Sequence, residues 1–398
     1  MTTEQHYILQ ILSSSLWNEV CTVPPPDTLD WDTFFSEAQK QGISALLYFN
    51  VDKTLLPEAV RAQFSDIAYK DLGASCRVIE AHAKICNLLE ENGIPTVILK
   101  GYASAHYYPH PEQRSMGDVD FYVEEEYRPK AREILQANGY VEEDANRHHD
   151  WLYHKADLIY ELHFAISGVP HGAEGEPFLR ELDGVVKDRR WVQAKLGRIA
   201  IPSDYHHGLI ILLHTASHLM AGGLGLRHLY DWAAFVNHFS DEEFQSVFQN
   251  RFEALHIWRF AQVLTGVCEK YLGLPDYRWT SDVSESAVDK LMAEFIETGD
   301  YSKDHGSRQS DLMASEGFTV RVGRKSGIGN MLAVLRNSVE YRWPKTQKNK
   351  ILLVLGMIYS AIRYFFRMLT GKREKLNLME MNKEASERRE LYREFGLE

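Results

Sequence analysis

Two aspartates one residue apart inside an apolar run constrain this chain more than any other feature. The segment Asp118-Val119-Asp120-Phe121-Tyr122-Val123 is rich in β-branched and aromatic residues and reads as a strand. Side chains alternate along a strand, so Asp118 and Asp120 share one face while Val119 and Phe121 take the other. The apolar face belongs against a core, and the opposite face must serve whatever the carboxylates serve. Two carboxylates so close repel each other, and neither stays ionised cheaply without a cation. A hard divalent ion, Mg²⁺ or Mn²⁺, resolves the conflict, because it takes oxygen ligands and accepts phosphate oxygens beside them.

The flanking segments fit that reading. Thr96-Val97-Ile98-Leu99 follows Gly93 and Pro95 and reads as a short buried strand. At Lys100-Gly101 it turns into a short helix, Tyr102 to Tyr108, closed by Pro109 and Pro111. A glycine at such a turn lets backbone N–H groups approach a phosphate, which makes Lys100, Gly101, Arg114 and Ser115 the candidate nucleotide contacts. Arg128 to Asn138 reads as a helix ended by Gly139, and Trp151–His154 and Leu158–Phe164 as two further strands. On the last of these Glu161 and His163 share a face, with Asp157 on it too if the strand extends that far. Glu161 is the candidate third acid. It would join Asp118 and Asp120 in holding metal and help deprotonate an attacking hydroxyl.

Helices bracket this core. Trp31 to Asn50 carries Phe34, Phe35, Ala38, Ile43, Leu46 and Leu47 at helical spacing, and Pro57 to Glu91 continues the pattern up to Gly93. Beyond Pro202, Ser203 is an N-cap for a helix over Tyr205–Met220. Further helices are expected over Arg227–His238, Glu253–Leu272, Ile328–Tyr341 and Ile351–Leu369. The fold class is therefore α+β, a small mixed-sheet core flanked by N- and C-terminal helical regions, with expected boundaries 1–92, 93–202 and 203–398. A chain of 398 residues has room for two or three domains, and 44% apolar content with 25% charge excludes global disorder.

The net charge of −12 argues against simple electrostatic coating of nucleic acid. It hides an asymmetry, since thirteen Lys/Arg and two acids lie between Arg321 and Lys375. Inside that basic arm the apolar run Ile351–Leu369 is interrupted by Arg363 and Arg367, too early for an integral membrane span. The expectation is a helical arm packed on the acidic remainder of the chain, with RNA or peripheral membrane contact as the alternative. The first residues are polar and acidic, so no signal peptide is expected, and Cys21, Cys76, Cys86 and Cys268 form no CxxC pair. Reduced, buried thiols and a cytoplasmic location are the expectation.

Other constellations read as structural. His214 and His218 lie four apart on one helix face, but the glutamate of H-E-x-x-H is missing, so buried core histidines are expected. Arg227 and Asp231 have the spacing of a helix ion pair. His148 and His149 sit in a polar loop, and Gly222-Gly223-Leu224-Gly225 reads as a flexible connection.

At Leu99-Lys100-Gly101, Arg114-Ser115 and Asp118-Val119-Asp120-Phe121 the sequence resembles the polymerase β-type nucleotidyltransferase superfamily, and within it the uncharacterised bacterial nucleotidyltransferases. The abortive-infection nucleotidyltransferases carry a similar lysine-glycine, arginine-serine and aspartate-x-aspartate-phenylalanine run. Glu161-Leu162-His163, His214-Thr215-Ala216-Ser217-His218 and the segment Arg227 to Asp231 match later family elements. The chain departs from the common pattern at Tyr102, where glycine-serine is frequent, and at Glu161, where aspartate is more usual. The resemblance implies an Mg²⁺-dependent enzyme that moves NMP from an NTP donor to a hydroxyl on a protein, an RNA end or a small molecule. The alternative is a non-catalytic nucleotide-binding or scaffold protein that keeps the fold.

Overall fold

The computed structural model describes residues 1–143, 150–170, 174–221, 223–298, 350–369 and 387–397, with 336, 339, 343, 346 and 349 described singly. His148, His149, Gly222 and, except for residues 336 and 339, the helix expected over Ile328–Tyr341 lie outside the described residues. The chain forms two compact units. One comprises Met1–Val169, Glu176–Leu219 and Gly223–Lys303, the other Pro170–Gly175, Met220–Gly222 and Asp304–Glu398.

The first unit begins with α1 (Thr3–Leu16), whose start is fixed by a capping box between Thr2 and Gln5. Helices α2 (Trp31–Lys40) and α3 (Ser44–Phe49) replace the single run expected from the sequence. The break falls at Gly42, whose φ of +65° lies in the left-handed region that ends helices. Helix α4 (Glu58–Glu91) runs for 34 residues, its second half facing the sheet.

The sheet has five strands, β1 (Thr96–Ile98), β2 (Asp118–Val123), β3 (Val141–Glu142), β4 (Asp150–Lys155) and β5 (Leu158–His163), in the order β1-β2-β5-β4-β3. Strands β2 and β5 pair in parallel and the other neighbours antiparallel, so the sheet is mixed as expected. A parallel pair needs a crossover. Here it contains α6 (Arg128–Ala137), β3 and β4, whereas the antiparallel β1 and β2 are linked through the short α5 (Tyr102–Ala105). On one face Ile98, Val119, Phe121, Tyr153, Tyr160 and Leu162 pack against Val78, Ile85, Cys86 and Leu89 of α4 and Ala131 and Leu135 of α6. That burial, at roughly 25 cal/mol per Å² of apolar surface, orients the sheet and turns Asp118, Asp120, Glu161 and His163 to the other face.

After α7 (Glu176–Leu182), a hairpin of β6 (Arg190–Ala194) and β7 (Gly197–Ile201) adds Ile199, Ala200 and Ile201 to the same core. It was not anticipated, because its turn, Lys195-Leu196, lacks the Asn-Gly or Asp-Gly signal of two-residue hairpin loops. Helices α8 (Asp204–Ala221) and α9 (Leu226–Val236) follow, and a buried ion pair joins α9 to the approach to β2. Arg114 donates from Nε to Asp231 Oδ1 at 2.7 Å and from Nη2 to Oδ2 at 2.8 Å. The Tyr108 hydroxyl donates to Oδ1 as well, at 2.7 Å, and Ser75 of α4 donates to the Arg114 carbonyl. All four cysteines are free, and Cys21, Cys86 and Cys268 are buried.

In the second unit the helix Lys350–Leu369 places Gly356 against Val339 and Trp343, and the ring of Tyr359 lies 5.8 Å from that of Trp343. Several of its apolar side chains do not turn inward. Ile351, Val354, Leu355, Ile358 and Ile362 are between 51% and 74% exposed. Among the described residues, Val339 and Trp343 pack on the side that carries Gly356. No described helix is long and apolar enough to cross a membrane.

The buried pair yields the first prediction. Removing one partner leaves the other charge desolvated, so Asp231→Ala should cost about 3–5 kcal/mol of stability. Replacing both, as Arg114→Met with Asp231→Leu, should cost clearly less than that single change. Urea unfolding followed by circular dichroism measures both, and equal losses would show that the pair is not what holds this junction.

Candidate active site

Strand β2 enters the site from the exposed Gly117 and ends in the core, so its first carboxylate is near solvent and its second is not. Asp118 is exposed, whereas Asp120 retains only 4% of its accessible surface. A carboxylate so enclosed needs partners to stay charged. His163 Nε2 lies 2.6 Å from Asp120 Oδ1, and Lys100 Nζ lies 3.4 Å from the same oxygen. Burial by itself would raise the Asp120 pKa, but Lys100 and the His163 hydrogen bond outweigh it and hold the carboxyl well below the usual range. Asp118 goes the other way. The negative charge of Asp120 is the largest cause pushing it up to about 6.

Register brings the third acid in. Asp120 stands directly opposite Glu161 on β5, and Tyr122 opposite His163. Ligand atoms of Asp120, Glu161 and His163 all lie within 4.8 Å of one another, and His163 Nε2 is 3.6 Å from Glu161 Oε2. Glu161 keeps 18% of its side chain accessible. Asp157 lies outside β5, in the turn before it.

Lys100 reaches this cluster because the chain reverses at Gly101. Its φ of +59° is in the left-handed region, and a Cβ there would stand 2.6 Å from His82 Cε1. Only glycine fits without displacing that ring. His82, in α4, is fully buried, neither of its ring nitrogens has a hydrogen-bond partner among the described residues, and burial pushes its pKa down to about 3. Nothing in the alanine-flanked segment Ala81-His82-Ala83 signals this role. His163 was readable as a face-mate of Glu161, but its bond to Asp120 depends on which strands pair.

The structure therefore brings Lys100, Gly101, Asp120 and Glu161 together on one side of the sheet, with Asp118 two residues from Asp120 on the same face. Arg114 is placed differently. Its guanidinium is buried on Asp231, and Ser115 presents its carbonyl to Arg114 Nη1 at 3.3 Å and to Arg227 Nη1 at 3.0 Å. The partner of Asp231 in this pair is thus Arg114, 117 residues away in sequence, beside the spacing match at Arg227.

A small cavity joins this region to α8 and α9, lined by Lys100, Ser104, Arg114, His214, Thr215 and Asp231 among others. His214, His218 and His228 cluster beside it, with ring centroids 4.3 to 5.4 Å apart. Burial, with Lys100 and Arg227 as nearby cations, keeps His214 and His228 uncharged. His218 Nδ1 bonds the Gly223 carbonyl at 3.0 Å, and the Gly225 N–H donates to His228 Nδ1 at 3.2 Å. Those bonds fit the expected structural role, the junction of two helices. The nearby positive charges work against a cation there.

The donor set at the sheet fits a hard divalent ion. It consists of carboxylate oxygens, with a raised Asp118 pKa reporting negative charge that Lys100 and Arg227 only partly offset.

Among curated proteins no relative matches the sequence. Among solved structures, the antibiotic-resistance factor ANT(2'')-Ia is similar at 15% identity and a TM-score of 0.32, covering 46% of this chain and 96% of that one. The family model described as uncharacterised nucleotidyltransferase matches residues 27–273, a span that contains the whole sheet, the carboxylates and both helices of the histidine cluster. The chain belongs to the uncharacterised nucleotidyltransferase family, and it is an enzyme of the nucleotidyl-transfer class.

Proposed function

We propose that this enzyme moves a nucleoside monophosphate from an NTP to a hydroxyl acceptor, with Mg²⁺ or Mn²⁺ held by Asp118, Asp120 and Glu161. The observation that carries the reading is the three-carboxylate face, in which Asp120 is kept ionised by Lys100 and His163 while Glu161 stands directly across from it. A bound divalent ion would supply charge neutralisation for the triphosphate and polarise the α-phosphate.

The remaining roles follow from placement. Lys100, 22% exposed and turned toward Asp120, is available to a phosphate oxygen once a cation shares that carboxylate. Gly101 lets the chain turn tightly enough to bring the Lys100 backbone beside the same face. Glu161, partly open to solvent, takes the proton of the acceptor hydroxyl as the new P–O bond forms, and pyrophosphate leaves with the displaced electron pair. His163 fixes the Asp120 carboxylate plane through its Nε2–H and is a positioning residue. Arg114 and Ser115 support the site indirectly, by holding the entry to β2 against α9. The acceptor is a protein, an RNA end or a small molecule, and incubation with each radiolabelled NTP, Mn²⁺ or Mg²⁺ and cell extract identifies it by what becomes labelled.

Metal and nucleotide should bind together. In calorimetry, NTP should bind at least about tenfold more tightly with Mg²⁺ than with EDTA, and Asp118→Asn with Asp120→Asn should erase that difference. Equal affinity in all four conditions would remove the carboxylates from nucleotide binding.

Glu161→Gln should lower turnover by about two orders of magnitude or more while NTP affinity changes little. A variant with undiminished turnover would exclude Glu161 as base. A wild-type protein that binds NTP and labels nothing would favour the non-catalytic alternative.

Metal binding needs ionised Asp118, whose pKa is raised to about 6. Protonation competes with the cation, so Mg²⁺-dependent NTP affinity should weaken as pH falls from about 7.5 to 5.5. An affinity flat across that interval would show that Asp118 is not a ligand.

A further inference from the structure

We propose that the helix Lys350–Leu369 is a docking face for an anionic lipid bilayer, lying in the plane of the membrane surface rather than crossing it. The helix carries Ile351, Leu355, Ile358 and Ile362 at the spacing of one helical face, and these side chains are 74%, 57%, 51% and 58% exposed. Leu352, Val354 and Tyr359, 44%, 54% and 53% exposed, widen that face on either side. Seven large apolar side chains on one helix form a contiguous patch of the kind that marks an interaction site, in contrast to single exposed residues.

The opposite side is accounted for. Gly356 lies against Val339 and Trp343, and Leu353, Met357 and Ser360 are partly covered. Lys350 and Arg363 are exposed near the two ends of the apolar face. The stretch from Arg321 to Lys375 carries thirteen Lys/Arg against two acids, in a chain whose net charge is −12. An apolar face flanked by basic residues is complementary to one surface in both respects, a bilayer with anionic headgroups above an acyl region.

Charge also decides among other occupants. A second copy of the chain would bring two strongly basic arms together, which opposes association. RNA would match the charge but leave Ile351, Leu355, Ile358 and Ile362 in water, since bases stack on aromatic rings and Tyr359 is the only ring among the seven exposed side chains.

The test is co-sedimentation of the full chain with vesicles of phosphatidylcholine alone and of phosphatidylcholine mixed with phosphatidylglycerol. The expected result is binding to the mixed vesicles, little to the neutral ones, and a several-fold loss as NaCl rises from about 0.1 to 0.5 M. Leu355→Asp combined with Ile358→Asp should reduce vesicle binding at least tenfold, with melting temperature and NTP affinity unchanged, because both side chains are exposed. Each of the following results overturns the proposal: no binding to anionic vesicles at low salt, equal binding to neutral vesicles, unchanged binding by the double variant, or RNA binding without vesicle binding. A wild type that ignores vesicles while the double variant dissociates a dimer, or melts lower, would show that the face is covered by a second copy or by this chain itself.

Discussion

A carboxylate in the middle of a sheet, nearly out of reach of water, sets the terms for the rest of the site. Asp120 could lower its energy by taking a proton, and a lone buried acid would do so. Lys100 and His163 prevent it, and each reaches Asp120 through a separate demand on the fold. Lys100 arrives only if the chain reverses within three residues of the end of β1, which requires glycine at position 101 with the uncharged ring of His82 beneath it. His163 arrives only if β5 lies parallel to β2 in a register that sets Glu161 beside Asp120. The crossover that makes a parallel pair possible is α6 with β3 and β4. One ionised side chain thus depends on a turn, a register and a topology at once.

The opposite face of the same strands supplies the rigidity. Val119, Phe121, Tyr160 and Leu162 are buried in the core with α4, and slipping β2 by one residue would exchange Val119 and Phe121 with Asp118, Asp120 and Tyr122. The apolar face therefore fixes the polar one. Arg114 extends the same logic along the chain. Its bidentate pair with Asp231 holds the segment that leads into β2 against α9, so the exposed end of the strand is tethered as well as its buried middle.

What the sequence disclosed follows from the range of each interaction. Alternation within a strand is local, so Asp118 and Asp120 on one face, and Glu161 with His163 on another strand, were legible from spacing. Helices with strong periodicity, α4 and α8, were found close to their observed limits, with Ser203 at the start of α8 as expected. Long-range choices were not legible. Spacing alone paired Asp231 with Arg227 four residues away, whereas its buried partner Arg114 lies 117 residues away. His82 carries no local mark of its contact with Gly101. The hairpin β6–β7 was missed for want of a turn signature, and the helix Lys350–Leu369 was placed correctly along the chain, but its periodicity could not show that Ile351, Leu355, Ile358 and Ile362 stay exposed.

The two aspartates of β2 end up in opposite electrostatic states, and that asymmetry has a consequence for folding. Asp120 is ionised well below neutral pH, while Asp118, facing that fixed charge, holds a proton up to about 6. In the unfolded chain Asp118 would lose its proton near 4, so between those values the native state binds more protons than the unfolded one. Stability contributed by that proton is present below about 4 and is lost as pH rises through about 6. Near neutrality the folded chain therefore carries two like charges on one strand face, an arrangement that its own residues only half neutralise. A cation that binds there removes a repulsion the fold has already built in, and the site's affinity for positive charge is the counterpart of its cost to the native state.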